Sequence, residues 1–128
     1  MYLKAGIQIP CVNLPFDVDL DDVMPWASDL ETAKSMVKDG KVASFFVFVE
    51  NSRQLKSSAL ELVGAWEDKL NFWVFYPKKP HLNTDLSRDE TWRIMKEKGM
   101  SGTRQVAIGD SWSCLYYKNT GKPVMEFR

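Results

Sequence analysis

The sequence predicts an α+β domain: a mostly antiparallel sheet of about six or seven strands with two short helices. Three observations lead there. Short runs rich in Phe, Val, Trp and Tyr recur between breaks of Pro, Gly and Asn, the punctuation of strands and turns. Two stretches have helix-capping form and stop at Gly40 and Gly99. A length of 128 residues suits one domain, so residues 1–128 are read as a single unit.

The elements follow in order. Residues 2–9 read as a strand stopped by Pro10, and an irregular segment follows with Pro15, Pro25, Asp17, Asp19, Asp21 and Asp22. Ser28-Asp29-Leu30-Glu31 then has capping-box form: a hydroxyl caps the first turn and the Glu three residues on reaches back. Trp26 precedes it as a hydrophobic staple, and Leu30, Ala33 and Val37 share a helical face. Residues 41–50 form a strand around Phe45-Phe46-Val47-Phe48-Val49. After the polar break Asn51-Ser52-Arg53, a strand is expected over 58–66, a turn at Glu67-Asp68-Lys69, and a return strand over 70–76. Ser87-Arg88-Asp89-Glu90 opens the second helix, with Trp92 and Met95 in the core. Strands over 104–108, 111–117 and 123–127 finish the chain, joined at Gly109-Asp110 and Asn119-Thr120-Gly121.

A shift of 59 residues superimposes Ser28 on Ser87, Glu31 on Glu90, Thr32 on Thr91, Met36 on Met95 and Gly40 on Gly99. Ordinary helix punctuation accounts for the Ser, Glu and Gly matches. The alternative is duplication into two βαββ-like units, with a ligand groove between them. Ser28-Asp29-Leu30-Glu31-Thr32-Ala33 resembles the first-helix opening of the vicinal-oxygen-chelate (glyoxalase-like) proteins, a likeness of six residues. That family holds its metal with His and Glu on strands. The one His here, His81, lies outside the predicted strands, so no metal site carries over. Paired βαββ units are also similar in topology to the gyrase-inhibitor-like multidrug-binding domains, without a shared motif.

Composition narrows the function classes. The chain is 45% hydrophobic and 27% charged, which is globular. No stretch approaches the roughly 20 apolar residues of a membrane span. Met1-Tyr2-Leu3-Lys4 does not open like a signal peptide. Cytoplasmic residence is expected, with Cys11 and Cys114 as reduced, packed thiols. Residues 1–64 carry 6 Lys/Arg against 9 Asp/Glu, and residues 65–128 carry 11 against 8. That polarity is too mild for a nucleic-acid-binding face.

Catalytic motifs are sparse. One His and two distant Cys do not make a zinc site. Gly109-Asp110-Ser111-Trp112 resembles the nucleophile block of the GDSL-type hydrolases, which implies a catalytic His downstream; none follows His81. Asp17-Val18-Asp19-Leu20-Asp21 begins like a calcium loop, but Asp22 stands where the turn needs Gly and Ser28 where the last ligand is Glu. Lys78, Lys79, Arg88 and Arg93 gather near the second helix and read as a solvated face. No metal and no cofactor are expected.

The most informative segments are Phe45–Val49 and Phe72-Trp73-Val74-Phe75-Tyr76. Side chains alternate between sheet faces, so unbroken apolar runs require cover on both. Each ring buried gains about 4–6 kcal/mol gross. Two short helices shield one face; barrel closure, a second protomer or a ligand must shield the other. The reading that follows is a non-catalytic, homodimeric binding domain with an aromatic groove for a planar or cationic small molecule. Its expected site residues are Trp66, Trp73, Tyr76 and Trp112, with Glu61 or Asp110 nearby. The alternative is a protein-interaction module of the small inhibitor or immunity type, and an enzyme ranks third.

Overall fold

The computed structural model describes residues 7–15, 23–79, 82, 84–108 and 111–119. Among these, six strands and three helices run in the order β1 (Ile7–Val12), β2 (Val23–Ser28), α1 (Leu30–Lys38), β3 (Phe45–Phe48), α2 (Ser52–Glu67), β4 (Phe72–Pro77), α3 (Arg88–Glu97), β5 (Gly102–Ile108) and β6 (Trp112–Tyr117). The sheet order is β2-β1-β3-β4-β6-β5. Strands β2, β1, β3 and β4 are mutually parallel, and β6 runs antiparallel to both β4 and β5.

The α+β class therefore stands, with corrections. The sheet is mixed and open, neither mostly antiparallel nor barrel-like, and three helices serve it instead of two. The largest difference lies at 58–66, expected as a strand and found inside α2. Asn51 caps that helix by accepting from the Gln54 backbone N–H at 2.9 Å. Leu55, Ala59, Leu62 and Ala65 then fall on one buried face at helical spacing. A helix between β3 and β4 is a crossover, so the expected hairpin becomes a parallel βαβ unit. One strand and then a helix follow α1, so the chain is not built as two βαββ units.

Two smaller differences have equally local causes. Strand β2 holds Pro25, which argued for irregular chain. The strand lies at the end of the sheet order, where a residue without an N–H is tolerated. The cap of α1 is Asp29, one residue after Ser28; its carboxylate accepts from the Thr32 N–H at 2.7 Å. At α3 the expected cap holds: Ser87 Oγ accepts from the Glu90 N–H at 3.1 Å. The Glu90 carboxylate pairs with Arg93. Gly40 and Gly99 both adopt positive φ, at 76° and 82°, and end α1 and α3.

The helices and the sheet enclose one apolar cluster. Phe45, Val47, Phe72, Val74, Tyr76, Leu115 and Tyr117 meet Ala33 of α1, the buried face of α2, and Ile94 and Met95 of α3. A second cluster joins Ile9, Cys11, Phe46, Phe48, Trp73, Phe75, Trp112 and Cys114, the alternate positions of the same strands. Its rings are stacked closely, with Phe48 and Phe75 centroids 4.5 Å apart. They are also sealed within one chain: Phe46 and Phe75 are 0% exposed, Trp112 3% and Trp73 5%. Both faces of β3 and β4 are thus covered, as the apolar runs require, without a second protomer or a ligand.

Cys11 and Cys114 share that second cluster as free, buried thiols. Strands β3 and β4 lie between them, a gap of roughly 14 Å at the usual strand spacing and well beyond disulfide reach. Among the described residues, no helix is long and apolar enough to cross a membrane.

Candidate functional site

The parallel strands end on one edge of the sheet, and two clefts open along it. One, of about 540 Å³, lies where the chain reverses direction across the sheet: β1 has β2 on one side and β3 on the other. Such switch points are common ligand sites in open α/β sheets. Its walls include Val12 and Asn13 after β1, Asp29 and Leu30 opening α1, and Gln54, Ser57, Ser58 and Glu61 of α2. Several of its polar groups are already committed to the backbone. Asp29 caps α1, Gln54 Oε1 accepts from the Glu50 N–H at 2.7 Å, and Ser28 Oγ donates to the Asp29 carbonyl at 2.8 Å.

The other cleft, of about 520 Å³, lies at the head of α3. The carboxyl end of β4 supplies Tyr76 and Pro77, followed by Lys78 and Lys79; β6 supplies Ser113 and edge strand β5 supplies Gln105 and Ala107; α3 and its approach supply Leu86, Ser87 and Arg88. Strand pairing builds the floor. Tyr76 stands opposite Ser113 on β6, and Ser113 stands opposite Ala107 on β5. Gln105 Nε2 donates to the Tyr76 hydroxyl at 2.9 Å and reaches Ser113 Oγ at 3.2 Å. Ser113 Oγ in turn donates to the Val106 carbonyl at 3.3 Å. With its proton given to the Val106 carbonyl, Ser113 Oγ can only accept from Gln105, which turns the amide nitrogen towards the two hydroxyls.

Electrostatics favours neutral hydroxyls here. Burial pushes the Tyr76 phenol above its ordinary value, opposed by its hydrogen bonds with Ser113 and Gln105 and by the nearby Arg88 charge. No carboxylate, His or Cys lines this cleft among the described residues. The thiols of Cys11 and Cys114 lie in the second cluster instead, and burial pushes each up to about 12. No group of three or more His, Cys, Asp or Glu side chains among the described residues could hold a metal ion.

The residues expected at a site are dispersed. Tyr76 lines the α3 cleft and Glu61 the cleft beside β1. Trp66 is a helical residue on α2, edge-on to Tyr117 with ring centroids 6.5 Å apart. Trp73 packs against Tyr116 at 4.6 Å, and Trp112 meets Phe48 edge-on at 5.5 Å, both in the second cluster. Trp66 and Trp73 therefore serve opposite sides of the sheet and share no groove. Asp110 and His81 lie outside the described residues, as do the 17–22 acidic segment and the expected strand over 123–127.

Lys78, Lys79, Arg88, Gln105 and Ser113 were not expected as site residues. The cations had a signal, since the sequence already gathers them near the second helix. Gln105 and Ser113 had none, because only strand pairing brings them to Tyr76. No family model matches the chain, and neither a curated protein nor a solved structure matches it.

Proposed function

We propose that the chain is a non-catalytic binding domain that takes a small polar molecule in the cleft at the head of α3. One observation carries this reading: a cleft of about 520 Å³ whose floor is a pair of buried hydroxyls joined by a side-chain amide. Buried polar groups exposed at the bottom of a concave site fix the orientation of a ligand. The lining lacks a described carboxylate, imidazole or thiol, so none of these stands beside Ser113 to activate its hydroxyl, which supports reading the cleft as a binding site.

This reading keeps Tyr76 from the aromatic set and moves the site away from Trp73 and Trp112, whose rings are already packed. A homodimer is not needed to cover them. A thermal-shift and calorimetric screen of small polar metabolites against wild type and Gln105→Ala tests the proposal. Binding that the variant loses supports it. Binding of flat aromatic cations alone, unaffected by Gln105→Ala, would return the argument to the tryptophans.

A second reading, a protein-interaction module, is favoured by Trp26, which is 42% exposed on the outermost strand β2. Recovery from the native host with a stoichiometric partner, lost in Trp26→Ser, would support it.

A further inference from the structure

We propose that the cleft beside β1 is a second ligand site, separate from the α3 cleft, and takes a small organic ammonium: a protonated amine on a short apolar body. Position is the first support. The cleft opens at the carboxyl ends of β1 and β2, where β1 has a parallel neighbour on each side. The first turn of α1 and the middle of α2 wall it. At such a point the chain connections depart to opposite sides and leave a crevice.

The lining is the second support. Its apolar part belongs to the core: Val47 and Leu62 are buried, and Val12 and Leu30 pack half-buried against the same cluster. Its polar part is rich in acceptors with capacity to spare. Asp29 spends part of its carboxylate on Thr32, through the backbone N–H at 2.7 Å and through the side chain. A carboxylate has about four lone-pair sites, so it can still accept from a ligand. Those same bonds hold the Asp29 carboxyl below its ordinary value, and it stays charged at neutral pH. Glu61 on α2 has no hydrogen bond or ion pair among the described residues, and neither have the hydroxyls of Ser57 and Ser58. Standing four and three residues before Glu61, the two serines share its face of the helix. An alkylammonium brings three N–H donors at the end of an apolar chain, which suits carboxylates and hydroxyls set beside aliphatic walls. An anion would meet two carboxylates instead.

Neighbouring charges are consistent with this polarity. Lys34 of α1 approaches Gly64, where an added Cβ would lie 3.8 Å from its Nζ, but it pairs with Glu31 at 3.8 Å and lies outside the lining. Residues 16–22, which follow Asn13 of the cleft wall closely in sequence, comprise four Asp and no Lys or Arg. Their composition can add negative charge only.

The full chain, labelled for two-dimensional amide NMR, is titrated at neutral pH and constant ionic strength with n-butylammonium, n-butanol and butyrate. These probes share a short carbon chain and differ in charge. The expected result is saturable shifts at Asn13, Ser57, Ser58 and Glu61 with n-butylammonium and with neither of the others. Glu61→Gln, which keeps the side-chain shape, should weaken that binding roughly fivefold. Glu67→Gln, on the same helix outside the lining, should leave it unchanged. Asp29→Asn is the second variant, since asparagine caps a helix about as well as aspartate, and it should weaken binding by a similar factor. An equal response to n-butanol or butyrate at those residues overturns the proposal, as does binding that Glu61→Gln and Glu67→Gln change alike. Silence at those residues with all three probes overturns it too. Shifts confined to Tyr76, Gln105 and Ser113 would overturn it while supporting the α3 cleft as the ligand site.

Discussion

Tyr117 offers the sharpest test of how this core is satisfied. It ends β6 fully buried, stacked on Phe72 with ring centroids 5.4 Å apart. Its hydroxyl has no hydrogen-bond partner among the described residues. A buried polar group left without a partner costs about 1–3 kcal/mol. Tyr117→Phe removes that group and keeps the ring stack. The void left is about one oxygen atom; at ~24 cal/mol per Å³ and roughly 10–15 Å³ it costs about 0.3 kcal/mol. The variant should therefore be more stable by about 1–2 kcal/mol, with a Tm rise of about 3–5 °C per kcal/mol for a domain of this size. Urea unfolding followed by tryptophan fluorescence measures the difference. Alkaline pH supplies a second readout. Burial holds this phenol well above its ordinary value of 10.0, so the folded chain keeps a proton that the unfolded chain releases. Wild type then loses stability as pH rises beyond 10, by up to about 1.4 kcal/mol per pH unit for this group. The phenylalanine variant lacks that loss, and its advantage should widen with pH. A variant that unfolds at lower urea than wild type, with the same alkaline slope, would refute the reasoning and indicate that the hydroxyl is bonded after all.

Two further perturbations probe the packing. A Cβ at Gly102 would lie 3.1 Å from Cζ3 of Trp92 and 3.5 Å from Cζ of Tyr117, so Gly102→Val should destabilise by about 1–3 kcal/mol and alter the near-ultraviolet tryptophan signal; an unchanged unfolding midpoint would contradict the close approach. The buried thiols, each pushed up to about 12, should resist iodoacetamide in the native state at pH 8 and react readily in urea; native labelling at the rate of a free thiol would show that the second cluster opens. Because both thiols keep their protons longer folded than unfolded, they also draw stability down between the ordinary value of 9.0 and about 12.

The sequence announced the helix ends and the central strands well because those signals are local. Ser87 and Gly99 bracket α3 with a cap and a left-handed turn, and the Phe45 and Phe72 runs are strands by composition alone. It hid what depends on partners. The 58–66 stretch contains Ala59, Leu62 and Ala65 at helical spacing, but the β-prone Val63 and Trp66 make it readable as a strand. As a helix, that stretch makes the β3–β4 connection a parallel crossover where a strand would have made a hairpin, and the sheet mixed where a hairpin would have made it antiparallel. The site suffered similarly. Aromatic abundance pointed to Trp73 and Trp112, which the fold uses as packing. The polar floor under Tyr76 joins residues 29 positions apart for Gln105 and is invisible until β6 lies between β4 and β5.

Strands β3 and β4, oily on both sides, carry a liability of their own. Alternation of polar and apolar residues normally tells a strand which register to take, because a slip by one residue would turn oil towards water. Here Phe45 pairs with Phe72 and Phe46 with Trp73, and a slip would exchange one ring for another at little cost in burial. Register must be imposed from outside the strands, by the span of α2 and the caps at its ends. Before that helix has closed the loop, both segments are short, uncharged and β-prone, the kind that zip with copies of themselves. The charges that bracket them, Lys41 and Glu50 around β3 and Lys69, Lys78 and Lys79 around β4, stand where gatekeepers against such self-association belong. Lys78 and Lys79 would then serve the chain twice, first keeping a nascent strand in solution and afterwards rimming the cleft that the finished fold opens.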